Sequence, residues 1–316
     1  MSRISFPRFI AREAGRFLCG IYNRRDPEAL VSMTAKSKEH PPAPSAQNGF
    51  SLISNAKLLQ IYLTMLQCSL IHDRVRILHK EGRIAGKAGF LAGYEAALVG
   101  VAIDLLPEDS VCAIPSDLIP LFIKGLPLKI LFARLFGPGA PSSHAADRLR
   151  GATAAAMANK TNKNNRIVVV FSSLKSTSLR AWQAALKLAS LQALPMIFVS
   201  LSTHAGTPAQ QPETSRLSLK TKACNFPIIT VDGSDAVAVY RVASESIAHA
   251  RKGDGPTLIE CLCTKAGDPL RNMENYLMRK GLFSEGMKWQ AAARFNKKLE
   301  AAIKTAENHA SPDEGA

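Results

Sequence analysis

The stretch that most constrains this chain runs from Ile167 to Thr203, where a strand, a loop, a helix and a second strand follow one another. Ile167-Val168-Val169-Val170-Phe171 is an unbroken β-branched and aromatic run, the pattern of a strand buried on both faces of a parallel sheet. Leu179, Trp182, Leu186, Ala189 and Ala193 recur at steps of three and four, so one helix face packs on that sheet, and Pro195 marks the exit. Met196-Ile197-Phe198-Val199 is the next strand. The unit predicts an α/β fold, a parallel sheet sandwiched by helices. Ligands in such sheets sit beyond the carboxyl ends of the strands, which sets Ser172 to Lys175 facing Ser200 to Ala205 across a crevice. A phosphate or metal site there needs Gly for close backbone approach and Asp or Asn oxygens for a hard cation. The chain supplies Ser173-Leu174-Lys175 and Leu201-Ser202-Thr203, with no carboxylate in either loop.

The same reading predicts helices over 58–80, 94–106, 127–136, 149–159, 235–252, 273–280 and 288–307, and strands over 111–114, 228–231 and 257–263. Gly82 and Gly86 end the first helix, and Gly93 and Gly100 let the second approach a neighbour closely. Residues 207–224 are polar and irregular. The first fifty residues differ. Phe6, Ile10, Phe17 and Ile21 form one helical stripe and Arg8, Arg12 and Arg16 another, before a Pro-rich linker over 36–47. Residues 1–49 are therefore a basic amphipathic extension and linker, and 50–316 the folded domain. The extension is read as docking or disordered in preference to targeting or membrane anchoring, because Glu13, Asp26 and Glu28 are unusual in targeting peptides.

At 316 residues and 47% hydrophobic, the chain can bury a large core, and no uninterrupted apolar stretch is long enough to span a bilayer. Its formal charge of +15 invites a polyanionic partner. Nucleic acid is the lesser candidate, since aromatic residues make up only 6% and interleave with no basic segment. Six cysteines form neither a CxxC pair nor a disulfide framework, which fits a reducing, cytoplasmic compartment, or the mitochondrial matrix if the amino-terminal helix is a targeting segment. Cys261 and Cys263 share one face of a strand, and are read as buried core thiols over metal ligands or an oxidisable pair.

The order of segments resembles the alpha subunit of thiamine-diphosphate-dependent 2-oxo acid dehydrogenases, the first component of pyruvate and branched-chain complexes. The resemblance covers most of Leu58 to Leu282 and rests on Gly93-Tyr94-Glu95-Ala96 with Gly100, on Pro107-Glu108-Asp109, on Gly125-Leu126-Pro127-Leu128-Lys129 and on Leu135-Phe136-Gly137. It continues through Leu194-Pro195-Met196-Ile197-Phe198-Val199, Val231-Asp232-Gly233-Ser234-Asp235, Ala238-Val239 and Gly255-Pro256-Thr257-Leu258-Ile259-Glu260. It implies a thiamine-diphosphate-binding-like fold, a beta subunit as partner in a hetero-oligomer such as a heterotetramer, and an acyltransferase core beyond it.

The resemblance also implies a cofactor, thiamine diphosphate, with magnesium held by a Gly-Asp-Gly loop and an Asn pair. Those positions fall here on Ser173, Leu174 and Lys175 and on Ser202 and Thr203, with Ala205 at a backbone-contributing Tyr. Pro115 and Ser116 stand at the family's Tyr-Arg pair, Leu118 at a following His, and Gly89 and Leu91 at an earlier His and Tyr. Two family loops containing His, after Gly137 and after Glu260, are shortened. The expectation is a degenerate, non-catalytic subunit, a scaffold or regulatory partner of a dehydrogenase beta subunit, that binds the cofactor weakly or not at all. Ser173, Lys175 and Thr203 remain as degenerate cofactor positions, with no catalytic and no metal residue assigned. The alternative is an active 2-oxo acid dehydrogenase alpha subunit, an oxidoreductase whose diphosphate site is rebuilt around Lys175 with help from Ser172, Ser173 and Ser176. Glu95 and Asp117 are read as structural hydrogen-bonding groups. His72, His79, His144 and His204 are read as packing or surface residues for want of a visible partner.

Overall fold

The computed structural model describes residues 53–84, 93–137, 144–204, 226–264 and 267–310. The chain divides into two units, Met1–Asn55 and Ala56–Ala316, and the sheet belongs to the second. The amino-terminal helix and linker, Gly86, Gly89, Leu91, Ala205 and the segment 207–224 lie outside the described residues.

Five strands form one parallel sheet: β1 (Ser110–Ala113), β2 (Val168–Ser172), β3 (Met196–His204), β4 (Ile228–Asp232) and β5 (Thr257–Thr264), in the order β1-β2-β3-β5-β4. Between and around them run α1 (Asn55–Lys80), α2 (Glu95–Ala102), α3 (Leu118–Ile123), α4 (Leu128–Phe136), α5 (Ala145–Thr161), α6 (Leu179–Leu191), α7 (Ala236–Lys252), α8 (Pro269–Arg279) and α9 (Glu285–Ala310). Every residue of β2 is buried, as its unalternating β-branched sequence requires. One face carries Val168, Val170, Met196, Phe198 and Leu258 against Leu149, Ala152 and Ala156 of α5 and Trp182, Leu186 and Ala189 of α6. Trp182 is fully buried with its ring 5.9 Å from that of Phe198. The successive side chains Val169, Phe171, Ile197 and Val199 point the other way and are fully buried as well, toward the side on which α7 packs.

Helix starts follow the capping chemistry of the sequence. Ser178 caps α6 by accepting from Ala181 N at 3.3 Å, and Asp235 caps α7 by accepting from Val237 N and Ala238 N at 2.9 and 3.0 Å. Asp268 accepts from Arg271 N at 3.0 Å, with Pro269 filling the first helical position.

Helix ends shift by up to four residues from the sequence reading, with α5 and α8 starting at Ala145 and Pro269, and α6 ends at Leu191, so that Ala193 falls outside it with a left-handed φ of 40°. The structure differs from that reading in four further places. The helix expected over 94–106 ends at Ala102, because Asp109 Oδ2 captures Leu106 N at 2.7 Å and turns the chain toward β1. Gly100 does allow close approach: a Cβ there would lie 2.8 Å from Val239 Cγ1 of α7. Gly93 meets no neighbour within 4 Å of such an atom among the described residues; its glycine serves a backbone φ of 79°. Residues 118–123 form the short helix α3, which no periodicity announced. Finally, β3 continues through His204 where a loop was expected after Val199, since β5 is long enough to pair with it up to Thr264.

Candidate functional site

The crevice loop joins β2 to α6. Its hydroxyl groups bond to one another. The buried hydroxyls of Ser172 and Thr177 share a hydrogen bond of 2.7 Å. Ser173 Oγ donates to Ser176 Oγ at 3.1 Å and accepts from Ser176 N at 3.2 Å, while Ser173 O accepts from Thr177 N at 2.9 Å. Together with the Ser178 cap, these bonds engage Ser176 N, Thr177 N and Ala181 N at the helix start. Leu174 is half-buried and packs against the hydrophobic cluster beneath α5 and α6. Lys175 is exposed.

Across from this loop, Ser172 pairs in register with Ser200, and Ser200 with Glu260. Thr203 lies three residues further along β3, opposite Cys263, so it stands about 10 Å beyond the level at which the loop leaves β2. Ser173 and Lys175 thus share one turn, and Thr203 lies on the neighbouring strand above it. Ser202 is half-buried, its hydroxyl 3.4 Å from Cys261 O.

Registered partners in a parallel sheet point to the same face, and this lines up a row that the sequence reading missed. Ser172, Ser200, Glu260 and Thr230 cross four strands at one level. Ser172, Ser200 and Glu260 are 0%, 2% and 1% exposed, and Thr230 Oγ1 donates to Glu260 Oε2 at 3.4 Å. The available signal was a single carboxylate inside the apolar run Thr257 to Cys263.

At the end of β1 the positions of the family's Tyr-Arg pair hold an exposed Pro115 and a half-buried Ser116. Pro115 O accepts from Arg148 Nη1 at 2.7 Å, and Arg148 also lies 3.4 Å from Asp117. Leu118 is buried where the resemblance sets a His. Asp117 and Glu95 act locally: Asp117 ties α3 to α5 through Arg148, and Glu95 Oε1 accepts from Gly93 N at 3.2 Å. Burial raises the Glu95 carboxyl above its ordinary range. His72 is half-buried, and burial lowers its pKa, whereas His79 is exposed. Cys261 and Cys263 are free buried thiols; burial raises both, Cys263 to about 12, so neither is a ready thiolate.

These residues do not fit a divalent cation and a diphosphate. A hard cation needs several oxygens, at least one of them anionic, and the loop presents a leucine turned into the core, hydroxyls already paired and an ammonium. Among the described residues, no group of three His, Cys, Asp or Glu side chains is placed to hold a metal ion. In this loop Leu174 packs against the core, Ser173 is hydrogen-bonded to Ser176, and Lys175 is exposed.

The model of the dehydrogenase E1 component family matches residues 64–267. The alpha subunit of an acetoin:2,6-dichlorophenolindophenol oxidoreductase from Bacillus subtilis (strain 168) is 30% identical over 240 residues, covering 68% of this chain and 72% of its own. Alpha subunits of the pyruvate dehydrogenase E1 component from Staphylococcus epidermidis and Staphylococcus aureus are each 28% identical. Those two matches cover 47% and 50% of this chain and 48% and 50% of the relatives, so the chain spans about half their length.

Proposed function

This chain belongs to the dehydrogenase E1 component family, and from that premise we propose that it is a degenerate alpha-type subunit, a non-catalytic scaffold or regulatory partner of a 2-oxo acid dehydrogenase beta subunit. The observation that carries the proposal is Leu174: at the position of the cation's carboxylate the chain has an apolar side chain packed against the core. Loss of a charge-neutralising cation removes several kcal/mol from diphosphate binding, on the order of what separates micromolar from millimolar affinity. One exposed Lys175, screened by water, returns only a fraction of that. The partner is a beta subunit because the relatives are alpha subunits and because the packing framework they share is kept here. A heterotetramer in the cytoplasm fits this role and the four free cysteines among the described residues.

Mixing the purified chain with a beta subunit from its source cell tests the role. The proposal expects co-elution as a stable complex on gel filtration, without decarboxylation of any 2-oxo acid when thiamine diphosphate and magnesium are supplied. Turnover that depends on this chain contradicts it and supports the active subunit with a rebuilt diphosphate site.

A further inference from the structure

We infer that a second site lies at the opposite end of the sheet: a groove that binds a compact polyanion carrying two or more phosphate groups. It has a volume of about 240 Å³ and runs past the amino ends of β2 and β3, where α5, α6 and α7 terminate. Five cations line it, Lys160, Lys163, Arg166, Arg251 and Lys252, beside Asn164 and Asn165.

Two of these cations have structural employment. Lys160 Nζ donates to the carbonyls of Gln192 and Ala193 at the end of α6, and Arg251 pairs with the buried Asp109. The other three, Lys163, Arg166 and Lys252, are exposed and have no carboxylate partner among the described residues. Cations near helix carboxyl ends often serve only to offset the helix dipoles, so the magnitudes decide. Three helix ends contribute about −0.5 charge each. With Asp109 and the neighbouring Asp254 added, the negative charge still falls short of the five cations by about one to two units. The field in the groove is positive, and concavity concentrates it.

The backbone supplies a separate sign. Lys163 (φ 51°) and Ala193 (φ 40°) are the two non-glycine residues with left-handed φ among the described residues, and both line this groove. Each follows a helix at the place where Gly would make the same turn without strain. What Lys163 provides over Gly is its charge. No aromatic side chain lines the groove, so recognition rests on charge and hydrogen bonds without a ring to stack on. That chemistry selects the phosphates of a pyrophosphate-like or sugar bisphosphate ligand over a nucleobase. The groove would bind such a ligand whether or not the crevice holds a cofactor.

The test is calorimetric titration of the full chain with inorganic pyrophosphate in low salt without divalent ions. Wild type is compared with the triple variant Lys163→Asn/Arg166→Gln/Lys252→Gln and, as a control for the crevice, with Lys175→Ala. Asn tolerates left-handed φ, and an unchanged thermal midpoint without ligand verifies that the triple variant folds. The expected result is saturable binding at one site, weakened at least tenfold in the triple variant and unchanged in Lys175→Ala. The site is overturned by absence of saturable binding, by equal affinity in the triple variant, or by loss in Lys175→Ala, which assigns the binding to the crevice. Tight binding of a single-stranded oligonucleotide without binding of pyrophosphate also overturns it.

Discussion

The two ends of strand β2 are built from opposite materials. At its amino end, beside the exposed cations of the groove, a buried carboxylate is fully employed: Asp109, with its side chain fully covered, accepts from Leu106 N, Ile167 N and both terminal nitrogens of Arg251, at 2.5 to 3.1 Å. Arg251 Nη1 also donates to Asn165 O at 2.8 Å, so a single ion pair ties the turn before β1, the start of β2 and the end of α7 together. At its carboxyl end, the loop from Ser172 to Thr177 contains no carboxylate, closes its hydroxyls on one another and turns Leu174 inward. The family resemblance divides the same way. Pro107-Glu108-Asp109 keeps the family pattern and carries the framework, whereas Ser173-Leu174-Lys175 departs from it where a ligand would be held.

The largest expected effect breaks the amino end. Asp109→Ala leaves Arg251 and two backbone donors without their acceptor and should cost about 3 kcal/mol or more, read from the urea midpoint at neutral pH. A loss below about 1 kcal/mol would show that the framework does not rest on this pair. Next comes Gly100→Ala, which drives a methyl group to 2.8 Å from Val239 Cγ1 and 3.1 Å from Tyr240 N; a destabilisation of about 1–3 kcal/mol should register in the same assay. Leu174→Asp sharpens the contrast from the other side. It removes a half-buried packing contact at about 1–2 kcal/mol and gains no magnesium-dependent diphosphate binding, because Ser173, Ser202 and Thr203 bring hydroxyls and no second anionic oxygen. Lys175→Ala, at an exposed position, should shift stability by less than about 0.5 kcal/mol.

Alkaline pH offers a smaller, differently signed probe of the core. Burial raises the thiols of Cys112 and Cys263 from 9.0 to about 11 and about 12. The unfolded chain therefore ionises first, so their contribution is intact below pH 9 and is lost as pH rises toward 11 to 12. Urea midpoints should decline more steeply above pH 9 for wild type than for Cys112→Ser/Cys263→Ser; parallel profiles would remove these thiols from the pH dependence.

The elements were legible wherever a periodicity was long and unmixed. The strand of β2 followed from five apolar residues in a row, α6 from its three- and four-residue steps, and α7 from Asp235 and Gly253 at its ends. Boundaries set by tertiary bonds were not. The early end of α2 depends on Asp109 capturing Leu106 N, and the extension of β3 to His204 depends on the length of β5, neither of which is local information. In the crevice, residue types alone showed two facing segments without a carboxylate. They could not show that Leu174 joins the core or that Ser172 and Thr177 pair. The row from Ser172 to Thr230 and the basic groove are products of register and of converging helix ends, so residues distant in sequence meet in them.

The central claim, that the carboxyl end of β2 is a cofactor site without its ligands, is tested most directly by calorimetric titration of the full chain with thiamine diphosphate and magnesium, alone and with a beta subunit present. If the site is emptied, no saturable magnesium-dependent heat appears in either mixture up to millimolar cofactor. A one-site isotherm with a micromolar Kd contradicts it.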